Sequence, residues 1–63
     1  MKLLIEIEMD NAAFENHNGM EASRILYNLA LDRLRHNVLE ADDRFTLVDH
    51  NGNTVGIATV KED

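Results

Sequence analysis

A chain of 63 residues has room for one small domain, residues 1–63, and without cysteine it has no disulfide staple, thiolate nucleophile, zinc–thiolate site or iron–sulfur cluster. A formal charge of −6, from twelve acids against six bases, has the wrong sign for direct phosphate or nucleic-acid binding, which needs clustered Lys and Arg. Apolar burial and the cost of ordering so short a chain each come to roughly 95 kcal/mol, so the core alone leaves little margin and a partner subunit would add to it.

The first segment, KLLIEIEM from Lys2 to Met9, alternates. Leu3, Ile5, Ile7 and Met9 fall on one face, with Lys2, Leu4, Glu6 and Glu8 on the other. This is the pattern of a half-buried strand, and the charges suit a strand at the edge of a sheet. Glu6 and Glu8 interrupt what would otherwise begin like a signal peptide, and no apolar run reaches the length of a membrane span. A cytoplasmic location is therefore expected. Asp10 is then placed to cap a short turn through Ala12 and Ala13, with Phe14 as its apolar anchor.

Asn18 and Glu21 have the spacing of a capping box. They predict a helix from Asn18 to about His36, closed by Asn37 in the left-handed conformation. Ala22, Ile25, Leu26, Leu29 and Ala30 form the stripe expected to face the core. Glu21, Arg24, Asn28, Asp32 and Arg35 form the expected solvent strip. Tyr27, Leu31 and Leu34 add a second apolar line, which makes the apolar arc wider than one small sheet requires. That line is the candidate interaction surface, suited to a second copy of the chain in a two-fold homodimer.

After the acidic connector EADD, RFTLVD and NTVGIATV predict two strands joined through DHNGN, Asp49 to Asn53. Its alternating side-chain oxygens invite comparison with a calcium loop. Such a loop wants glycine at its sixth position and a bidentate Glu at its twelfth. Counted from Asp49, the glycine is fourth and the twelfth residue is Val60. The segment is instead read as a hairpin with a three-residue loop, His50-Asn51-Gly52, in which Gly52 takes the left-handed position. That loop is expected to set Leu47 opposite Val55 and Phe45 opposite Ile57, all on one face.

The expected architecture is a single small α+β domain, β-α-β-β. It has a three-stranded mixed sheet with the third strand central, and one helix packed on one face. The third strand is placed in the middle because it carries no charge from Thr54 to Val60. The first two strands are expected to run parallel through the helical connection.

No catalytic constellation is visible. His17, His36 and His50 are scattered through a loop, a helix end and a turn. Ser23, the one serine, lies in the helix without a glycine-rich elbow. Glu6 and Glu8 share a strand face that offers no cleft, and Gly52 and Gly56 do not form a phosphate loop. No catalytic residue, cofactor or metal ligand is assigned, and no enzymatic activity is expected.

The segments IEIEMDNAAF, RILYNLA and LVDHNGNTVG resemble those of short phage and prophage proteins of unassigned function. Those proteins carry a similar NAAF after an acidic first strand, an amphipathic helix and an NGN-x-VG ending. The resemblance spans most of the chain, implies a bacterial or phage-infected cytoplasm, and transfers no catalytic residue. Two functional readings follow. One is a small acidic protein-interaction module that self-associates. The other is an acidic nucleic-acid mimic that inhibits a host DNA- or RNA-binding protein. The second is motivated by Glu6, Glu8, Asp10, Glu15, Glu40, Asp42, Asp43, Glu62 and Asp63, a set that Arg24, Arg33 and Arg35 interrupt.

Overall fold

The computed structural model describes residues 1–62. Strand β1 (Lys2–Ile7) leads through a 3-10 turn (Ala12–Phe14) to helix α1 (Asn18–Asp32). A second 3-10 turn (Leu34–His36) follows, then the hairpin of β2 (Arg44–Val48) and β3 (Thr54–Lys61). The strand order is β1-β3-β2, so the uncharged third strand is central, as expected, and β1 lies at an edge. Both ladders are antiparallel. β1 and β2 therefore point the same way, but β3 separates them, and the sheet is antiparallel throughout rather than mixed.

The hairpin loop is the expected one, and the register beyond it is not. Gly52 N–H donates to the Asp49 carbonyl at 3.0 Å, Asp49 N–H donates to the Asn53 carbonyl at 2.9 Å, and Gly52 has φ +84°. This is a three-residue loop with glycine in the left-handed position, where a Cβ would be strained. One rung further on, Val48 pairs with Thr54 but Leu47 pairs with Gly56. Val55 is the extra residue of a β-bulge. Phe45 consequently pairs with Ala58, not with Ile57, and Ile57 turns to the opposite face beside Glu6 and Thr46. The helix-side face carries Leu3, Ile5, Ile7, Phe45, Leu47, Ala58 and Val60. Gly56 sits between Ile7 and Leu47 because nothing larger fits: a Cβ there would overlap the Glu6 carbonyl oxygen and stand 3.0 Å from Cα of Ile7.

Helix α1 buries Glu21, Ile25 and Leu29, at spacing i, i+4, i+8. Leu26 and Ala30, expected in the core, are exposed, and Glu21, expected in solvent, is buried. The helix packs over the β2 side of the sheet and is rotated toward Glu21, whose carboxylate is bound within the fold. Phe14 and Ala13 from the first 3-10 turn complete a core with Ile25, Leu29, Leu47, Val55 and Ala58. Ile7, Leu34 and Phe45 close its margin. Burial of Ile25 or Leu29 contributes about 1.5–3 kcal/mol each.

The element ends differ from expectation in their caps. Asn11, not Asp10, caps the first turn, accepting from Ala13 N–H at 3.0 Å. His17 occupies the N-cap of α1 without a side-chain bond, so the Asn18–Glu21 box does not form. The α-helix stops at Asp32 and tightens into the second 3-10 turn. Asn37 is extended, φ −123° and ψ 144°, rather than left-handed. It closes the turn by another route, its side-chain amide donating to the Arg33 carbonyl.

Candidate functional site

The residues with the densest polar chemistry converge where the hairpin loop meets the two N-terminal turns. Asp49 is 3% exposed. Its Oδ1 accepts from the N–H groups of Asn51 and Asn53, each at 2.9 Å. Its Oδ2 accepts from Asn11 Nδ2 at 2.8 Å, with Asn53 Nδ2 at 3.5 Å. A carboxylate engaged by four protein donors is a turn-former and a cross-link between the hairpin and the Ala12–Phe14 turn. Among the described residues no group of three or more His, Cys, Asp or Glu is placed to hold a metal ion.

Glu21 does the same from the helix. Its Oε1 and Oε2 accept from Arg24 Nε and Nη2 at 2.9 and 3.0 Å, a bidentate pair. Oε2 also accepts from the backbone N–H of His50 at 2.8 Å. Arg24 reaches on to the Val48 carbonyl at 3.4 Å. The first turn of α1 is thus fastened to the hairpin tip and to β2. The hydrogen bonds from Arg24 and then from His50 hold the Glu21 carboxyl below its ordinary range, against the opposing effect of burial. For Asp49, burial pushes upward, but the donors from Asn53, Asn11 and Asn51 together outweigh it and the net direction is down.

The fold brings His17 and His50 to one shallow hollow, with Ala12, Met20 and Glu21 on its walls. His36 lies apart from them in chain and element, in the second 3-10 turn. Ser23 is exposed on α1, and Glu6 and Glu8 project from exposed positions of the first strand and its end. Of the acidic set, Glu6, Glu8, Asp10, Glu15, Glu40, Asp42 and Glu62 are exposed and Asp43 is half-buried. Glu21 and Asp49 face inward, while Lys61 and Arg44 share the open side of the sheet with Glu6 and Asp42. Asp63, the last of the acidic set, lies outside the described residues.

Of the candidate surface, Tyr27 and Leu31 lie on α1 and Leu34 in the 3-10 turn that follows it. Tyr27 is 66% exposed, Leu31 is half-buried, and Leu34 packs against the core. Beside it the Arg33 guanidinium stands 6.0 Å from the centre of the Phe45 ring. More apolar surface is open elsewhere. Three consecutive side chains of β1, Leu3, Leu4 and Ile5, are 39%, 45% and 39% exposed, on both faces of the strand. The helix does not cover them, since it leans on β2.

Comparison with protein families, with curated proteins and with solved structures finds no match. No helix among the described residues is long and apolar enough to cross a membrane. The protein is a small α+β domain with a three-stranded antiparallel sheet, distinguished by a hairpin bolted to its helix and an apolar strand at its open edge.

Two structural roles escape sequence reasoning. Glu21 with Arg24 at i+3 is an ordinary surface pair by spacing, and its burial shows only once the helix is rotated away from the phase that hydrophobicity favours. Asp49 is a turn residue by sequence, but its bond to Asn11, 38 positions distant, has no local trace.

Proposed function

We propose that this chain is a small acidic protein-interaction module that self-associates, acts without catalysis, and works in the cytoplasm of a bacterial or phage-infected cell. The observation that carries the reading is the imbalance between core and surface. The buried apolar set is Ala13, Phe14, Ile25, Leu29, Leu47, Val55, Ala58 and Val60, while Leu3, Leu4, Ile5, Met9, Met20, Leu26, Tyr27, Val38 and Val48 are exposed. A domain this small gains from covering such surface with protein. The resemblance to phage and prophage proteins supports the cellular setting. The nucleic-acid mimic has less support, because Glu6 and Asp42 share their face of the sheet with Arg44 and Lys61, and acids interleaved with bases do not make a phosphate-like array. Multi-angle light scattering from about 1 µM to 1 mM tests the reading over the range in which weak to moderate association is populated. A mass that rises toward twice 7.2 kDa is expected. A monomeric mass at every concentration would sink self-association.

A further inference from the structure

The two edges of the sheet are not equivalent. At the β2 edge, Arg24 donates to the Val48 carbonyl and the helix lies alongside. Among the described residues, the β1 edge has neither a covering element nor a bulge in its register, and the strand holds no proline. Of the usual means by which proteins blunt an edge, this one keeps only its charges, Lys2, Glu6 and Glu8.

The alternation of the ladder tells which backbone groups face outward. Glu8 N–H donates to the Val55 carbonyl. Val60, the partner of Leu3, instead directs its N–H and carbonyl to Asp43 and Asp42 on the other side. Even-numbered residues of β1 therefore turn their backbone groups toward β3, and Leu3, Ile5 and Ile7 turn theirs to the free edge.

We infer that β1 pairs antiparallel with β1 of a second copy of this chain, about a two-fold axis through Leu4, joining two three-stranded sheets into one of six strands. This rests on the self-association proposed above and adds the surface and the register. With Leu4 on the axis, Lys2 lies opposite Glu6 of the second copy, and Glu6 opposite its Lys2. Leu3 lies opposite Ile5 on the helix side, and the two exchange backbone hydrogen bonds, as their outward groups require. Lys2, Leu4 and Glu6 fall at the non-hydrogen-bonded positions, where cross-strand side chains come closest. The neighbouring registers are poorer. Centring on Ile5 keeps an acid–base rung, Lys2 against Glu8, but sets Leu4 against Glu6 at two rungs, and centring on Leu3 sets Lys2 against Leu4. Only the register centred on Leu4 pairs every rung like with like or acid with base, with no apolar side chain set against a charge. The contact is narrow, at the low end of specific interfaces, so a micromolar or weaker dimer is expected.

The test uses Lys2→Glu and Glu6→Lys, alone and mixed, by sedimentation equilibrium, with amide hydrogen exchange on the parent. Each single variant opposes like charges at both symmetric rungs and should weaken its own dimer at least about tenfold. An equimolar mixture should restore association, because the two acidic side chains of one variant then face the two basic side chains of the other. The double variant Lys2→Glu/Glu6→Lys should dimerise like the parent, which also checks that the exchanged residues permit folding. In the parent, the amides of Leu3 and Ile5 should become protected as concentration rises. A dimer that both single variants leave unchanged, with Leu3 and Ile5 exchanging at the same rate at every concentration, would overturn the β1 pairing while leaving self-association in place, through Tyr27 and Leu31 or the open sheet face. A parent that stays monomeric removes both.

Discussion

Gly56→Ala offers the sharpest check on the register of this sheet. The position is on the central strand, between Ile7 and Leu47, and an added methyl would be driven into the backbone of β1 at Glu6 and Ile7. Backbone in a ladder cannot swing aside as a side chain can, so β1 must lift from β3 at its C-terminal end. Overpacking costs typically 1–3 kcal/mol, and an obstacle made of backbone belongs at about 3 kcal/mol or above. A domain of this length has roughly 3–9 kcal/mol in total. At about 4–8 °C per kcal/mol, the melting temperature should fall by about 12–24 °C. Gly19→Ala is the control: a Cβ at Gly19 meets nothing within 4 Å, and its backbone is helical. That variant should hold or gain up to about 1 kcal/mol through reduced unfolded-state freedom and better helix propensity. Thermal melts by circular dichroism, at one fixed protein concentration, compare the two. Equal melting of Gly56→Ala and the parent would mean that β1 does not approach β3 in this register, and the arrangement of the helix-side face would have to be rebuilt.

Leu29→Ala should cost about 2–5 kcal/mol, since Leu29 is central to the helix face of the core, whereas Leu26→Ala should cost under about 1 kcal/mol; urea denaturation that ranks them the other way would show the helix to be rotated. Acid should destabilise the fold through Glu21 and Asp49. Both carboxyls are held below their ordinary values of 4.5 and 3.8, so their contribution is present above those values and lost as pH falls through the lower folded-state values. Denaturation midpoints should therefore drop below about pH 4.5, and Glu21→Gln should flatten the upper part of that fall; an unchanged slope in the variant would detach Glu21 from it. Calcium at millimolar concentration should leave the amide resonances of residues 49–53 in place, because protein donors already occupy the Asp49 carboxylate, and saturable shifts confined to those residues would contradict the turn assignment.

The order of elements, the central place of the third strand, the edge position of the first and the form of the hairpin loop were all legible in the sequence. Each follows from local chemistry. Alternation of apolar side chains marks a strand, an uncharged run marks its burial between neighbours, and Asp at the first turn position with Gly at the fourth marks the loop. The bulge at Val55 left only a weak trace in the sequence, the isolated Gly56 inside NTVGIATV, which marks a bulge or a close backbone approach without saying which residue is the extra one. One such residue moved Ile57 out of the core and Ala58 into it. The phase of α1 was also decided in three dimensions. Hydrophobicity alone set the buried face at Ala22, Ile25, Leu26, Leu29 and Ala30. The folded chain turns it toward Glu21, because a carboxylate that gains Arg24 and the His50 N–H can be buried beside Ile25. The candidate surface divided in the same way. The apolar character of Tyr27, Leu31 and Leu34 is a property of composition, but their burial is not: Tyr27 is exposed, while Leu34, in the 3-10 turn after the helix, packs against the core. The exposed run Leu3, Leu4 and Ile5 became visible only when the helix was seen to lean on β2, because periodicity states which side chains share a face and says nothing about which strand a single helix will cover.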